Sequence, residues 1–522
     1  MSANLTVITA SQIQKARADW VPVAERPIIG KDVLELLSSS MYVNVLSIYR
    51  EYVQNAADSI DAARQTGVLG KDGTGRVQIS VDQQQRVVRI RDNGTGLEKE
   101  QFVERLVAFG ASKKRGSRAR GFRGVGRLAG LGYCQELIFR TKAVDDTEVS
   151  ELRWDCRRLK SLLRSGEYAD NLERLVSDVV TTRTLGDTGV PKHFFEVELV
   201  GIVRHGNDVL MDSSAIQNYL SQVAPVPFAP EFEYGEQIEE ALKSYVNLGK
   251  LEIGINGAER PIYRPHRDQF EVRKGTVDRF GELQLLTIPG SDGTLAGVGW
   301  ILHHGYLGAF PNSSAVKGLR LRSGNMQIGE AALLDEIFRE PRFNSWVVGE
   351  IHILDERILP NGRRDHFEQN VHFRNVLSQL SPLAGDLGRR CRASSIRRNW
   401  TRQFEQGIAF IRDRQAILRQ GAVTAGRRAR LKDEILDRAT QLEKIAALSA
   451  LDAKTRSACH KRLLRLNANL PQLFYSKTKH QDLKRFRGAR RCFVQKLVDI
   501  VYDATDNQAA AKALVEKILR RL

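Results

Sequence analysis

Arg50-Glu51-Tyr52-Val53-Gln54-Asn55-Ala56-Ala57-Asp58-Ser59-Ile60-Asp61 is the stretch on which the reading of this chain turns. No Pro or Gly interrupts residues 32–64, and Leu46, Tyr49, Val53, Ala56, Ala57 and Ile60 recur at three- and four-residue spacing, which predicts a helical region from Gly30 to about Arg64. Glu51, Asn55 and Asp58 stand four and then three residues apart, so they share one face. An acid and an amide are costly on a face that only meets a core. The stripe is either a solvated surface or a site, and the residues downstream decide between the two.

Two glycine loops follow. Arg76–Val81 and Val87–Arg91 alternate apolar with polar and read as a hairpin, ending in Asp92-Asn93-Gly94-Thr95-Gly96. A carboxylate at a strand end can accept a hydrogen bond from the exocyclic amine of adenine, and glycines let backbone approach a ring. After a helical segment at Lys99–Val107 comes a loop dense in Gly, Ser, Lys and Arg, running into Gly121-Phe122-Arg123-Gly124-Val125-Gly126. A long loop inside a domain is usually functional. Glycines before a helical run offer backbone N–H groups to phosphate, and Ser112 and Lys113 can meet terminal phosphate charge. Asn55 offers an oxygen to magnesium, and Glu51 can polarise a water. No Gly-x-x-x-x-Gly-Lys-Ser/Thr occurs. Each motif alone is weak, but the three in this order within 76 residues are hard to obtain by accident.

That order resembles the GHKL ATPase superfamily, which holds DNA gyrase, the ninety-kilodalton heat-shock chaperones, histidine kinases and MutL. The helix looks closest to the chaperones. Ala111-Ser112-Lys113 and Gly121-Phe122-Arg123-Gly124 look closer to MutL and the MORC proteins. The resemblance implies an α/β (α+β) Bergerat-type sandwich over residues 28–202, with ATP and Mg2+ as cofactors and hydrolysis to ADP and phosphate. It assigns Glu51 as general base, Asn55 as magnesium ligand, Asp58 as support for the adenine pocket and Asp92 as adenine acceptor. Gly94 and Gly96 would let the base approach, and Gly121, Gly124 and Gly126 would wrap the phosphates from a lid. Histidine kinases are disfavoured, because they normally lack an acid at the Glu51 position. One departure stands out: the region Gly189–Phe194 lacks the Thr that helps relatives hold adenine.

Residues 203–385 mix strand-like and helical runs and resemble the transducer domain of the superfamily, which sends a cation to the terminal phosphate. Lys317 is the expected cation, with Arg320 and Arg322 as alternatives, while Asn361-Gly362-Arg363-Arg364-Asp365 reads as a structural turn. Residues 1–27 read as an arm. Beyond residue 386 strand signals fade into amphipathic helices.

The 522 residues suit about three domains at ~150 residues each. The net charge of +18 is uneven: residues 389–522 hold 32 Lys and Arg against 12 Asp and Glu, a net of +20, whereas the first 388 carry 48 and 50, a net of −2. The basic quarter suits either solvated helix faces or an anionic partner, nucleic acid included. Apolar spacing there suits a dimer seam or an internal bundle equally. No run approaches the ~18 apolar residues of a membrane span, no secretory leader is evident, and five scattered cysteines suit a reducing, cytoplasmic setting. The expected function is an ATP-driven, chaperone-like clamp, a homodimer closing on a protein client. Two alternatives stay open: an ATP-gated nucleic-acid clamp of the MORC or topoisomerase type, and the ATPase subunit of a bacterial defence assembly.

Overall fold

The structure, a computed structural model, describes residues 31, 34, 44–70, 73–108, 126–165, 171–186, 189–246, 248, 251–468, 470–475 and 481–522. The arm at 1–27 lies outside them. The chain forms two compact units: Met1–His266 with Arg322–Ile328 and His352–Glu368, and Arg267–Leu321 with Gly329–Ile351 and Gln369–Leu522.

The first unit is built on a seven-stranded sheet. Its strands are β1 (Gly75–Asp82), β2 (Val87–Asp92), β3 (Glu136–Lys142), β4 (Val149–Asp155), β5 (Val180–Leu185), β6 (Phe194–Val200) and β7 (Leu251–Ile255), in the order β5-β4-β3-β6-β2-β1-β7. The expected hairpin is β1–β2, paired antiparallel with Ile79 opposite Ile90. Its partner β7 joins β1 in parallel, from beyond residue 202, where the domain was expected to end. The core likewise runs on through Ile216, Leu220, Val226 and Ile262.

One sheet face is apolar: Val77, Ile79, Val88 and Ile90 meet helix α1 (Ser47–Gln65), whose Tyr49, Val53, Ala56, Ala57 and Ile60 are buried against them. The other face is a ladder of charge. Arg89 reaches Glu198 at 2.6 Å, Arg91 reaches Glu196, and Arg140 meets Glu151 at 2.6 Å, Glu196 at 2.9 Å and Glu198 at 2.6 Å. Such cross-strand pairs give strands of alternating character a second reason to hold register. The helical region expected from Gly30 is not continuous. Asn44 makes a turn before α1, its Oδ1 accepting from Leu46 N at 3.0 Å and its carbonyl from Ser47 N at 3.0 Å. An Asn side chain that bonds backbone two residues on competes with helix.

A second sheet places strands Glu282–Pro289, Leu295–His303, Val348–Ile353 and Gly318–Ser323 adjacent in that order; the first two lie wholly in the second unit, and the other two lie in it up to Ile351 and Leu321. Helices then take over: Val371–Gln420, Ala425–Ala446, Ala453–Ala468, Gly488–Asp503 and Gln508–Arg521. The first is 50 residues long, is capped by Asn370 Oδ1 on Phe373 N at 2.9 Å, and runs through the boundary expected at 385. These helices share a separate core containing Phe404, Ile411, Leu431, Leu442, Val498 and Val515. Among the described residues no helix is long and apolar enough to cross a membrane.

Candidate nucleotide site

The site in the first unit is strung along α1. Glu51 lies in the second turn of the helix, Asn55 one turn further and Asp58 and Ser59 one turn beyond that. At 1.5 Å per residue the run from Glu51 to Ser59 covers about 12 Å of helix axis. Glu51 is buried, at 4% exposure, and Asn55 and Asp58 are half-buried.

At the Ser59 end stands Asp92, the last residue of β2 and itself buried. Gly94 N donates to its Oδ1 at 2.8 Å, and the Ser59 hydroxyl donates to it from α1. Burial pushes the carboxyl up to about 7, against those two hydrogen bonds, which favour the ionised form. The loop after Asp92 approaches its neighbours as only glycine can. A Cβ on Gly94 would lie 2.1 Å from Ser59 Oγ, and one on Gly96, at φ +69°, would lie 2.2 Å from the Lys142 carbonyl. Two residues that the sequence reading passed over complete this end. His193 donates Nδ1–H to Gly94 O at 2.7 Å, since a carbonyl can only accept. Thr141, fully buried on β3, accepts from Leu97 N at 2.8 Å and donates to Phe194 O at 3.1 Å. In the region that lacks the family's Thr, then, His193 is the side chain that grips the glycine loop.

At the Glu51 end, the 3-10 turn Gly126–Gly132 packs on α1, with Gly130 N donating to Tyr52 Oη at 2.9 Å. A Cβ on Gly126 would lie 2.4 Å from Glu51 Oε2, so the third glycine of the Gly-x-x-Gly-x-Gly run lies directly on the acid. Arg127, next to Gly126, donates to Ala108 O; residues 109–125 lie between the two in sequence. Ser112, Lys113, Gly121 and Gly124 fall in that segment and lie outside the described residues.

The cation beside Glu51 is Arg364. Its Nε stands 3.4 Å from Glu51 Oε1, and its Nη1 donates to Gln54 Oε1, itself buried one turn along. Arg50 adds a second guanidinium: Nη2 bonds Glu51 Oε1 at 3.1 Å and the Arg363 carbonyl at 3.1 Å. The loop that delivers Arg364 is the one read as a structural turn. Pro360 and Phe367 pair across its base, Asn361 N donates to His366 O at 2.9 Å, and Arg364 N donates to Asn361 O at 3.1 Å. Arg364 itself sits at φ +56°, a left-handed conformation that non-glycine residues seldom adopt. Lys317 belongs to the second unit, where its ammonium donates to Asn312 Oδ1 at 3.2 Å on an exposed loop.

An acid facing a glycine turn and an arginine, with an amide one turn on, thus stands at one end of α1, and a buried carboxylate with a glycine loop stands at the other. Residues 45–173 match the family model described as "Histidine kinase-, DNA gyrase B-, and HSP90-like ATPase". Among curated proteins, the chain is similar to the chaperone protein HtpG of Klebsiella pneumoniae subsp. pneumoniae and of Salmonella typhi, each 24% identical over 241 residues. It is also similar to that of Pectobacterium atrosepticum, 24% identical over 244 residues. In each case the match covers 42% of this chain and 35% of the relative, so the chain spans about a third of the length of the curated relatives it matches.

Proposed function

We propose that this chain binds and hydrolyses ATP and works as a chaperone-like clamp. The observation that carries the reading is the buried Glu51 carboxylate, held 3.4 Å from Arg364 and pressed against Gly126. In this reading adenine lies at the Asp92 end, its exocyclic amine donating to the carboxylate oxygen that Gly94 leaves available. The phosphates run toward Gly126. Glu51 orients a water and takes its proton as the oxygen attacks the terminal phosphorus, while the bond to the leaving ADP oxygen breaks. Arg364 neutralises charge on the phosphoryl group in flight, the role that the resemblance assigned to Lys317. Asn55 supplies one neutral oxygen, which fits magnesium that keeps waters and phosphate oxygens as its other ligands. The metal would offset charge on the phosphates.

Closure of two protomers on a protein client, in the cytoplasm, extends the likeness to HtpG. Light scattering with and without a non-hydrolysable ATP analogue tests it, since the proposal expects the mass to double when the analogue binds. For the chemistry, Glu51→Ala is expected to lower turnover by about 10²- to 10⁴-fold while calorimetry shows the analogue still bound. A variant that hydrolyses ATP as fast as the parent removes Glu51 from the mechanism.

A further inference from the structure

The helix Gly488–Asp503 carries only two acids, Asp499 and Asp503, and both are engaged by helix Ala425–Ala446 and its cap. Asp499 accepts from Thr424 N at 3.4 Å and from its hydroxyl, and Asp503 accepts from Arg427 Nη1. Val494, Val498 and Tyr502 face the core. The opposite face holds Arg490, Phe493, Lys496 and Ile500, with Phe493 67% and Ile500 60% exposed. Arg490 and Lys496 stand three residues either side of Phe493, so the three share one surface, with the cations about 9 Å apart along the axis. Arg490 is steadied by Phe486, whose ring centroid lies 5.4 Å from its guanidinium. Residues 483–498 contain six Lys and Arg and no Asp or Glu. Among the described residues no carboxylate pairs with Arg487, Arg490 or Lys496.

We infer that this face binds single-stranded nucleic acid, two phosphates of one strand meeting Arg490 and Lys496 while the base between them lies on Phe493. The charge supplies affinity for any polyanion. The exposed ring selects the single strand, because every unpaired base has a face to stack and a duplex keeps its faces covered. Ile500, on the same stripe, extends the apolar surface for a neighbouring base.

The test uses the full chain and a fluorescein-labelled oligothymidylate, read by anisotropy across a salt series, with the matching duplex and phosphatidylserine vesicles as separate arms. Single-strand binding is expected to weaken with salt, and the slope to fall by about 0.7 for each cation removed in Arg490→Glu and Lys496→Glu. Phe493→Ala, a change at an exposed position, is expected to weaken the single strand about tenfold and leave the duplex unchanged. Tighter binding of the duplex, with Phe493→Ala without effect, overturns the inference. Binding to the vesicles but not to the oligonucleotide overturns it as well.

Discussion

Two polar loops of this chain compete for one role. Asn312–Lys317 has the look of a phosphate loop: small polar residues leading to a lysine before a strand. Asn361–Asp365 has the look of a turn, and it is one. Yet the turn is the loop that puts a guanidinium 3.4 Å from Glu51, while the lysine rests on its own loop's Asn312. Residue type indicates which groups could meet a phosphate. Only the path of the chain determines which group arrives, and here the arriving loop contacts α1 across separations of 310 and 313 residues.

The sharpest way to break this comparison is to exchange the two cations' fates. Arg364→Ala is expected to lower the single-turnover hydrolysis rate by about 10²- to 10³-fold with nucleotide affinity changed far less. Lys317→Ala is the control, and equal losses in the two variants would dissolve the distinction drawn between the loops.

The next effect concerns the other end of α1. Gly94 N–H, the Ser59 hydroxyl and the adenine amine are all donors to Asp92 in the proposed complex. Asp92→Asn therefore sets an N–H against one of them, and calorimetry with the analogue is expected to show about 10- to 100-fold weaker binding. The same carboxylate predicts a pH dependence. Its folded value of about 7 lies above the unfolded one of 3.8, so its contribution to stability is complete below 3.8 and is lost as pH rises through about 7. Nucleotide needs the ionised form, so analogue affinity is expected to rise from pH 6 to pH 8 (about 7 being the midpoint) while the melting temperature of the free protein falls. A flat affinity profile would mean that the base does not sit on Asp92. The smallest effect is expected for Lys317→Ala, less than about twofold in rate, as for a half-buried loop side chain whose ammonium is bonded to Asn312 of its own loop.

Much of the candidate site's geometry was legible in the sequence because its signals are local. Helical spacing places Glu51, Asn55 and Asp58 on one face without any tertiary information, and the alternation of β1 and β2 delivers Asp92 to a strand end. The strands β4 and β5 left no such trace. Val180–Leu185 has four exposed positions in its middle and no apolar face to read, and Val149–Asp155 spends Glu151 and Arg153 on the charged side of the sheet. The 50-residue helix was hidden by Pro382 within it and by glycines at 385 and 388, which local propensity counts against helix. Arg364 was invisible for a different reason. Its left-handed backbone and its arrival at Gln54 and Glu51 are properties of the folded chain, and Asn-Gly-Arg-Arg signals no more than a bend.

The parallel partner of β1 bears on how this unit could be isolated. A chain ended at residue 202 would lose Leu251–Ile255 and bare the hydrogen-bonding edge of β1 from Gly75 to Ile79, an open template for another molecule's strand. Clumping of such a fragment would then report a missing neighbour, and a fragment carried on through His266 would keep that edge sealed.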